Sequence, residues 1–314
     1  MKTISFIIPC YNSENTIGDV VNEITDAMKT LGIDIYEIIL INDSSPDNVY
    51  KVICDICEKN TRVRGIDLAK NFGQHNALMA GINHAQYDIV VFLDDDGQTP
   101  ACEVGKLISA LGDDCDIVFA KYENKKHNFF RNFGSKINDF MAEILIGKPK
   151  NLSISSYVAC KKFVIDEIKH YTGNCPYLSG LLIRTSNKIK NVPVNHRKRE
   201  AGHSNYTLRK LLALWLNGFT AFSVKPLRVA TIVGFLTAMT GFIYGIYIII
   251  RWFFRTDLFM GWSSTMAALL FIGGMIMVIL GLMGEYIGRT YLNVNNAPQF
   301  VIRRRVGYEN EDNK

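Results

Sequence analysis

The 314-residue sequence predicts an α/β domain on a mostly parallel, doubly wound sheet, followed by amphipathic interfacial helices and a two-helix transmembrane hairpin. Three observations predict it. Short apolar, β-branched runs alternate with helical periodicities over about the first 120 residues, the pattern of a parallel sheet. Each predicted strand ends in a polar cluster, and ligands of such sheets bind outside the carboxyl ends of the strands. Two stretches without a charge, 229–250 and 258–284, hold 22 and 27 residues, each enough to cross ~30 Å of hydrocarbon as a helix.

The elements follow in order. "TISFIIP" (3–9) is a strand that ends at a proline. "SENTIGDVVNEITDAMKTLG" places Ile17, Val21, Ile24, Met28 and Leu31 on one helical face, with Ser13 as cap and Gly32 as stop. "YEIILIND" (36–43) is the second strand and "NVYKVICDICEK" the second helix. A short strand at 62–68, the helix "GQHNALMAGINHA" and the strand "DIVVFLD" (88–94) complete the regular part. The clusters "PCYNSEN", "NDSSPD", "KNFGQHN" and "DDDGQTP" then share one sheet edge.

Beyond about residue 120 the regularity decays. "NFFRNFGSKINDFMAEILIG" (128–147) and "LRKLLALWLNGFTAF" (208–222) are amphipathic, fit either for a core or for the bilayer surface. Adjacency to the hairpin favours the surface for 208–222. The expected division is a cytosolic domain at 1–207, a juxtamembrane helix at 208–225, membrane helices within 226–288 (about 229–250 and 264–286) and a cytosolic tail at 289–314.

"MKTISFIIPCYN" is not a signal peptide, because its apolar run is too short. Lys225, Arg228, Arg289 and Arg303–Arg305 flank the outer ends of the hairpin, against Arg251 and Arg255 between its helices. Basic residues favour the cytosolic side, so both termini are expected in the cytosol and the chain in the cell's inner (plasma) membrane, multi-pass. Seven scattered cysteines are then free thiols, and Cys54 and Cys57 lack the second pair that a zinc site needs. The net charge of +5 is modest, and no nucleic-acid partner is expected.

Asp94, Asp96 and Gln98 form D-x-D-x-Q at a strand end. Alternate residues of an extended segment project the same way, so Asp94 and Asp96 share a site while Asp95 points elsewhere. Two hard carboxylates with diphosphate oxygens suit Mg2+ or Mn2+. Asp43 could cap the next helix or accept hydrogen bonds from a nucleobase or ribose.

"IIPCYNSENTI", "INDSSPDN", "KNFGQHNALMAGI" and "FLDDDGQTP" resemble the successive motifs of family 2 glycosyltransferases of the GT-A fold. "REAGHSNY", "FSVKPLR" and "GEYIGRTY" resemble, more narrowly, the polyprenyl-phosphate glycosyltransferases akin to dolichol-phosphate mannose synthase, with two C-terminal membrane helices. The resemblance implies that Pro9, Tyr11, Asn12, Glu14 and Asp43 line a nucleotide pocket, with Asn71 and Gly73 at its floor. It implies that Asp94 and Asp96 serve the metal–diphosphate site and that Gln98 lies near the reacting centre. Arg131, Arg199 and Ser204 would meet the acceptor phosphate. It also implies a homo-oligomer. The chain departs from the pattern at Ser155 and Ser156, where many relatives carry an acid, and at Asn205, where relatives often carry lysine.

The chemistry tolerates a missing base. A lipid monophosphate, with its second pKa near ~6, is largely dianionic at neutral pH and already a nucleophile. It needs positioning and relief from the donor's charge. Lys121, Lys125, Lys126, Arg131 and Lys136 form one basic cluster, and residues 184–210 hold eight Lys/Arg against Glu200 alone. His75, His196 and His203 are expected to be solvated or structural.

The activity these features imply is transfer of one sugar from a nucleotide sugar, a UDP-sugar by preference, to polyprenyl (undecaprenyl) phosphate, metal-dependent and inverting. A processive polysaccharide synthase would need more spans and a Q-x-x-R-W motif, but Ile248 stands where the glutamine before Arg251-Trp252 belongs. A non-catalytic membrane scaffold would be free to lose Asp94, Asp96 and Gln98. A dinucleotide-dependent dehydrogenase is excluded, since no G-x-G-x-x-G follows the first strand.

Overall fold

A computed structural model of the chain describes residues 2–122, 148–150, 152–174, 176–195, 225–254, 261–295 and 298–308. They belong to two units, residues 1–205 with 297–314, and residues 206–296. In the first, β1 (Ile4–Cys10), α1 (Ile17–Thr30), β2 (Tyr36–Asn42), α2 (Val49–Lys59), β3 (Val63–Leu68), α3 (Gln74–His84) and β4 (Ile89–Phe92) follow one another. A 3-10 turn (Ala101–Glu103) then leads into α4 (Val104–Ala110) and β5 (Ile117–Tyr122). Next come β6 (Val158–Lys161), α5 (Lys162–Lys169), α6 (Leu178–Thr185) and β7 (Ile189–Val194). The second unit holds α7 (Lys225–Phe254) and α8 (Trp262–Val294), after which β8 (Ile302–Val306) rejoins the first.

The strands form one sheet in the order β7-β5-β6-β4-β1-β2-β3-β8. Every residue of β1 and β2 is buried because helices cover both faces. Ile4, Phe6 and Ile8 pack with α1, α2 and α4, and Ile7, Ile39 and Ile41 with α3, α5 and α6. Burying each such side chain fully contributes about 1.5–3 kcal/mol. The chain runs from β1 outward through β2 and β3, then crosses back to place β4 on the other flank of β1. The topological switch point therefore lies between β1 and β4, where ligands of open α/β sheets bind.

Pro9 shows how the crevice opens there. A proline cannot donate to a ladder and is disfavoured inside a sheet. β4 pairs with β1 only from Ile4 to Ile7, whereas β2 continues alongside through Cys10. Pro9 thus sits where one neighbour has already peeled away. On the adjoining face α3 lies close to the sheet, since a Cβ on Gly81 would come within 2.9 Å of Ile41 Cδ1.

Several expectations are corrected. α1 begins after Thr16 with no side-chain cap, and Ser13 contributes its carbonyl, not its hydroxyl, to the Thr16 and Ile17 N–H groups. Leu31 falls beyond the last turn and is 43% exposed. β4 ends at Phe92, so the aspartates begin in the loop and not in the strand. β6 enters antiparallel between β4 and β5, too short in sequence to register as a strand.

The largest correction concerns the tail. Residues 302–306 pair antiparallel with β3 as an edge strand. Ala69 N–H donates to Val301 O at 2.8 Å, and Arg303 Nη2 to Ala69 O at 2.6 Å. Tyr308 then lies against Arg64, 5.3 Å from its ring centroid, and edge-on to His84 at 5.6 Å. Arg64 in turn pairs with the buried Glu37 at 3.0 Å. Exposed arginines blunt a sheet edge, and the same charges resemble a membrane-flanking cluster in sequence.

In the second unit, α7 and α8 are 30 and 33 residues long; α7 contains the uncharged run 229–250, and α8 takes in residues 262–284 of the second run and continues past it. Phe271–Gly288 is long and apolar enough to cross a membrane, and Ala230–Tyr244 is a shorter apolar stretch. Large apolar side chains stand exposed along both helices, among them Phe242 and Met277, each 71% exposed. The amphipathic segments 128–147 and 208–222 lie outside the described residues.

Candidate active site

The four polar loops at the carboxyl edge are stitched together by carboxylates that accept backbone N–H groups. After β1 the chain turns at Asn12, whose φ of 56° is left-handed, and its N–H donates to Ser45 Oγ at 2.8 Å. Glu14 N–H donates to Asp47 Oδ2 at 2.9 Å, and Asn48 N–H returns a bond of the same length to Glu14 Oε2. Burial alone would raise the Asp47 pKa, but the Ser45 hydroxyl and the Glu14 and Val49 N–H groups outweigh it and hold it low. Asn42 underpins the second loop, accepting from Ser45 N–H at 3.0 Å and donating to Asp67 Oδ1 at 2.8 Å.

Asp43 neither caps α2 nor stands open. Its two oxygens accept the N–H groups of Phe72 and Gly73 at 2.7 and 2.8 Å. Burial raises its pKa against those two bonds. Gly73 has a φ of 89°, a left-handed value that favours glycine, and the chain enters α3 directly after it. Asp43 thereby joins the second and third loops, and Asn71 is set beside them.

The fourth loop, beyond the end of β4, sends its aspartates in different directions. Asp95 turns to the first loop, accepting Tyr11 N–H at 2.9 Å on Oδ2, while its carbonyl accepts the Thr16 hydroxyl at 2.6 Å. Burial pushes the Asp95 carboxyl up to about 6, only partly offset by Ser13 and Tyr11. Asp94 faces the other way, accepting Gln74 Nε2 at 3.1 Å on Oδ1 and the Ser156 hydroxyl on Oδ2. Burial and then the charge of Asp96 raise the Asp94 pKa against these two donors. Gly97, at φ 69°, reverses the chain so that Gln98 donates to Asp96 through its N–H at 3.1 Å and its side-chain amide at 2.6 Å.

Pro9, Tyr11, Asn12, Glu14, Asp43, Asn71, Gly73, Asp94, Asp96 and Gln98 thus all lie on the carboxyl edge of the sheet. Arg131, Arg199 and Ser204 lie outside the described residues. Sequence reasoning missed Gln74 as a holder of Asp94, although "GQHN" follows a strand on the same edge. It noted Ser156 only as standing where relatives carry an acid. The hydroxyl donates to Asp94, so Ser156 is not a base.

Asp94 and Asp96 fit a hard divalent cation. They are two carboxylates near enough for the charge of one to raise the pKa of the other, and their contacts above are neutral donors. Among the described residues no cluster of three or more His, Cys, Asp or Glu could hold a metal by itself. A ligand would have to complete the coordination shell, the usual arrangement for Mg2+.

The family model described as Glycosyl transferase family 2 matches residues 5–169, and that of the GtrB C-terminal hairpin matches residues 225–290. The undecaprenyl-phosphate 4-deoxy-4-formamido-L-arabinose transferase of Yersinia pestis (strain Pestoides F) is 29% identical over 316 residues, covering 100% of this chain and 96% of the relative. The protein of the same name from Enterobacter sp. (strain 638) is 29% identical over 309 residues, covering 96% and 93%. Among solved structures, glucosyl-3-phosphoglycerate synthase from Mycobacterium tuberculosis in complex with UDP aligns with a TM-score of 0.51 at 21% identity, over 70% of this chain and 78% of that one. Its complex with Mn2+, UDP and phosphoglyceric acid gives 0.52 at 22%, over 70% and 76%. The likeness to these structures is one of fold, the GT-A arrangement of a mostly parallel sheet.

Proposed function

The chain belongs to glycosyl transferase family 2, and on that premise we propose that it moves one sugar from a UDP-sugar to polyprenyl (undecaprenyl) phosphate at the cytosolic face of the inner membrane. The observation that carries this reading is the Asp94–Asp96 pair at the β1/β4 switch point, in a chain that also bears long, exposed apolar helices. The full-length likeness to undecaprenyl-phosphate sugar transferases supports the acceptor.

In this reading the braced loops carrying Pro9, Tyr11, Asn12, Glu14, Asp43, Asn71 and Gly73 border the nucleotide. Asp94 and Asp96 hold Mg2+ or Mn2+, which when bound supplies counter-charge to the diphosphate leaving group. Gln98 orients Asp96 and lies near the reacting centre. Arg131, Arg199 and Ser204 receive the acceptor phosphate, whose dianion attacks without a general base and inverts the anomeric carbon.

The returning strand supports the topology. The segment bearing α7 and α8 leaves and re-enters the same folded unit, since residues before and after it share one sheet. A membrane segment so connected crosses an even number of times, which favours a two-span hairpin with both termini on the same side.

The test incubates the purified full-length protein with undecaprenyl phosphate, Mg2+ or Mn2+ and a panel of nucleotide sugars, with mass spectrometry of the extracted lipid. A lipid carrying one sugar is expected. A lipid-free polymer would favour a synthase, and no product from any donor would leave a scaffold.

A further inference from the structure

An irregularity in β8 singles out one arginine of three. Leu68 pairs with Ile302 and Asp67 with Arg304, so Arg303 is an extra residue with no partner on β3. Such a bulge re-aims the side chain it carries. Here the Arg303 guanidinium donates to Ala69 O at 2.6 Å, while Ala69 N–H donates to Val301 O at 2.8 Å. The tail thus holds both backbone polar groups of Ala69. Arg304 and Arg305 keep the ladder register, opposite Asp67 and Ile66.

β3 ends at Leu68, so Ala69 is the first residue beyond it and leads directly into the third polar loop. That loop is fixed at its far end, where Asp43 accepts the N–H groups of Phe72 and Gly73. Arg303 fixes its near end. Only Lys70 and Asn71 lie between the two anchors, and the Lys70 ammonium sits 5.0 Å from the Phe72 ring centroid. A hold on Ala69 therefore sets where Asn71 stands.

The rest of the tail keeps its seat by other means. Gln299 Nε2 donates to Gly173 O at 2.8 Å, and Phe300 and Ile302 pack against the cluster that α3, α5 and α6 form with the sheet. A Cβ on Gly65 would come within 2.6 Å of Val306 Cγ1, so Val306 fills space that a side chain at 65 would claim. Gly307, at φ 77°, passes Val63 O where a Cβ would lie 2.6 Å away. Loss of the Arg303 guanidinium alone thus leaves the strand docked and frees one end of the loop.

We propose that Arg303 is a positioning residue for the nucleotide: acting through Ala69 it sets Asn71, so that a strand supplied from beyond α8 completes the donor pocket. The inference rests on the donor reading above, in which Asn71 and Gly73 border the nucleotide. α8 ends at Val294, so the loop is held by chain that has already passed through the second unit.

The experiment measures UDP binding by calorimetry, with Mn2+ present, on the full-length protein in lipid nanodiscs. Arg303→Ala should weaken binding about three- to tenfold, the worth of one hydrogen bond. Arg303→Lys, which keeps a terminal N–H donor, should recover most of that loss. Arg305→Ala removes the same charge from the same edge and should leave UDP binding within about twofold of the wild type. The two alanine variants should melt close together, so that a difference in UDP binding is not a difference in folding. Unchanged UDP affinity in Arg303→Ala overturns the inference. Equal weakening in Arg303→Ala and Arg305→Ala overturns it too, since edge charge alone would then account for the effect, as does the absence of any recovery in Arg303→Lys. Failure of the wild type to bind UDP defeats the donor reading and this inference with it, whereas wild-type binding that Arg303→Ala leaves intact defeats this inference alone.

Discussion

The two flanks of the β1/β4 crevice are built differently. On the β1–β2–β3 flank, Asp43, Asp47 and Glu14 hold backbone N–H groups of neighbouring loops, and Asp95 holds that of Tyr11 from across the gap. On the other flank, Asp94 is held by the side chains of Gln74 and Ser156, and Asp96 by its own neighbour Gln98. Carboxylate-to-backbone bonds fix the path of a loop, whereas side-chain donors can turn away as a ligand arrives. In the proposed reading the first flank is a preformed seat for the nucleotide, and the second carries the chemistry and can adapt.

If the contrast is real, substitutions on the two flanks should fail in different ways. The largest effect is expected on the chemical flank. Asp96→Asn should cut metal-dependent transfer on the order of 10²-fold or more with the melting temperature nearly unchanged; a variant that turns over normally breaks the assignment. On the braced flank, Asp43→Ala leaves the Phe72 and Gly73 N–H groups without their acceptor and should cost about 1–3 kcal/mol of stability. Asp43→Asn, which keeps one acceptor oxygen, should cost less, as denaturant unfolding will show.

Asp95 tests the brace by pH. Its carboxyl titrates at about 6 in the folded protein against an ordinary 3.8, so the folded state binds the proton more tightly. Stability therefore falls as pH rises through that window, and the cost is fully present above it. Asp95→Asn keeps an acceptor for Tyr11 without the buried charge, so it should raise the melting temperature at pH 8 more than at pH 5. An equal shift at both would mean that Asp95 is not destabilised by burial. The smallest effect belongs to the sheet edge, where Arg303→Ala removes one exposed bond to Ala69 O and should cost about 0.5–1.5 kcal/mol by thermal melting.

The same contrast explains what the sequence disclosed. The first four strands and three helices were legible because each has its own period and polar terminus. Asp94, Asp96 and Gln98 stood out because an extended segment alternates, but the aspartates lie in a loop beyond β4, and it is that loop which turns Asp95 to Tyr11. The role of Asp95 as a brace was not legible, since its partners Tyr11 and Thr16 are some 80 residues distant in the chain. Gln74 and Ser156 meet at Asp94 from separate segments, and no local pattern announces such a meeting. β8 was hidden by its arginines, which serve an exposed sheet edge but resemble a juxtamembrane charge cluster.

The central claim is that one sugar, and only one, passes to a lipid phosphate through the Asp94–Asp96 site. The most direct measurement is the mass of undecaprenyl phosphate extracted after reaction with excess donor, for the wild type and for Asp96→Asn. The wild type should yield a single added sugar residue, and the variant, folded to the same extent, should return the acceptor unchanged. A ladder of repeated additions, or the same product from the variant, would contradict the account.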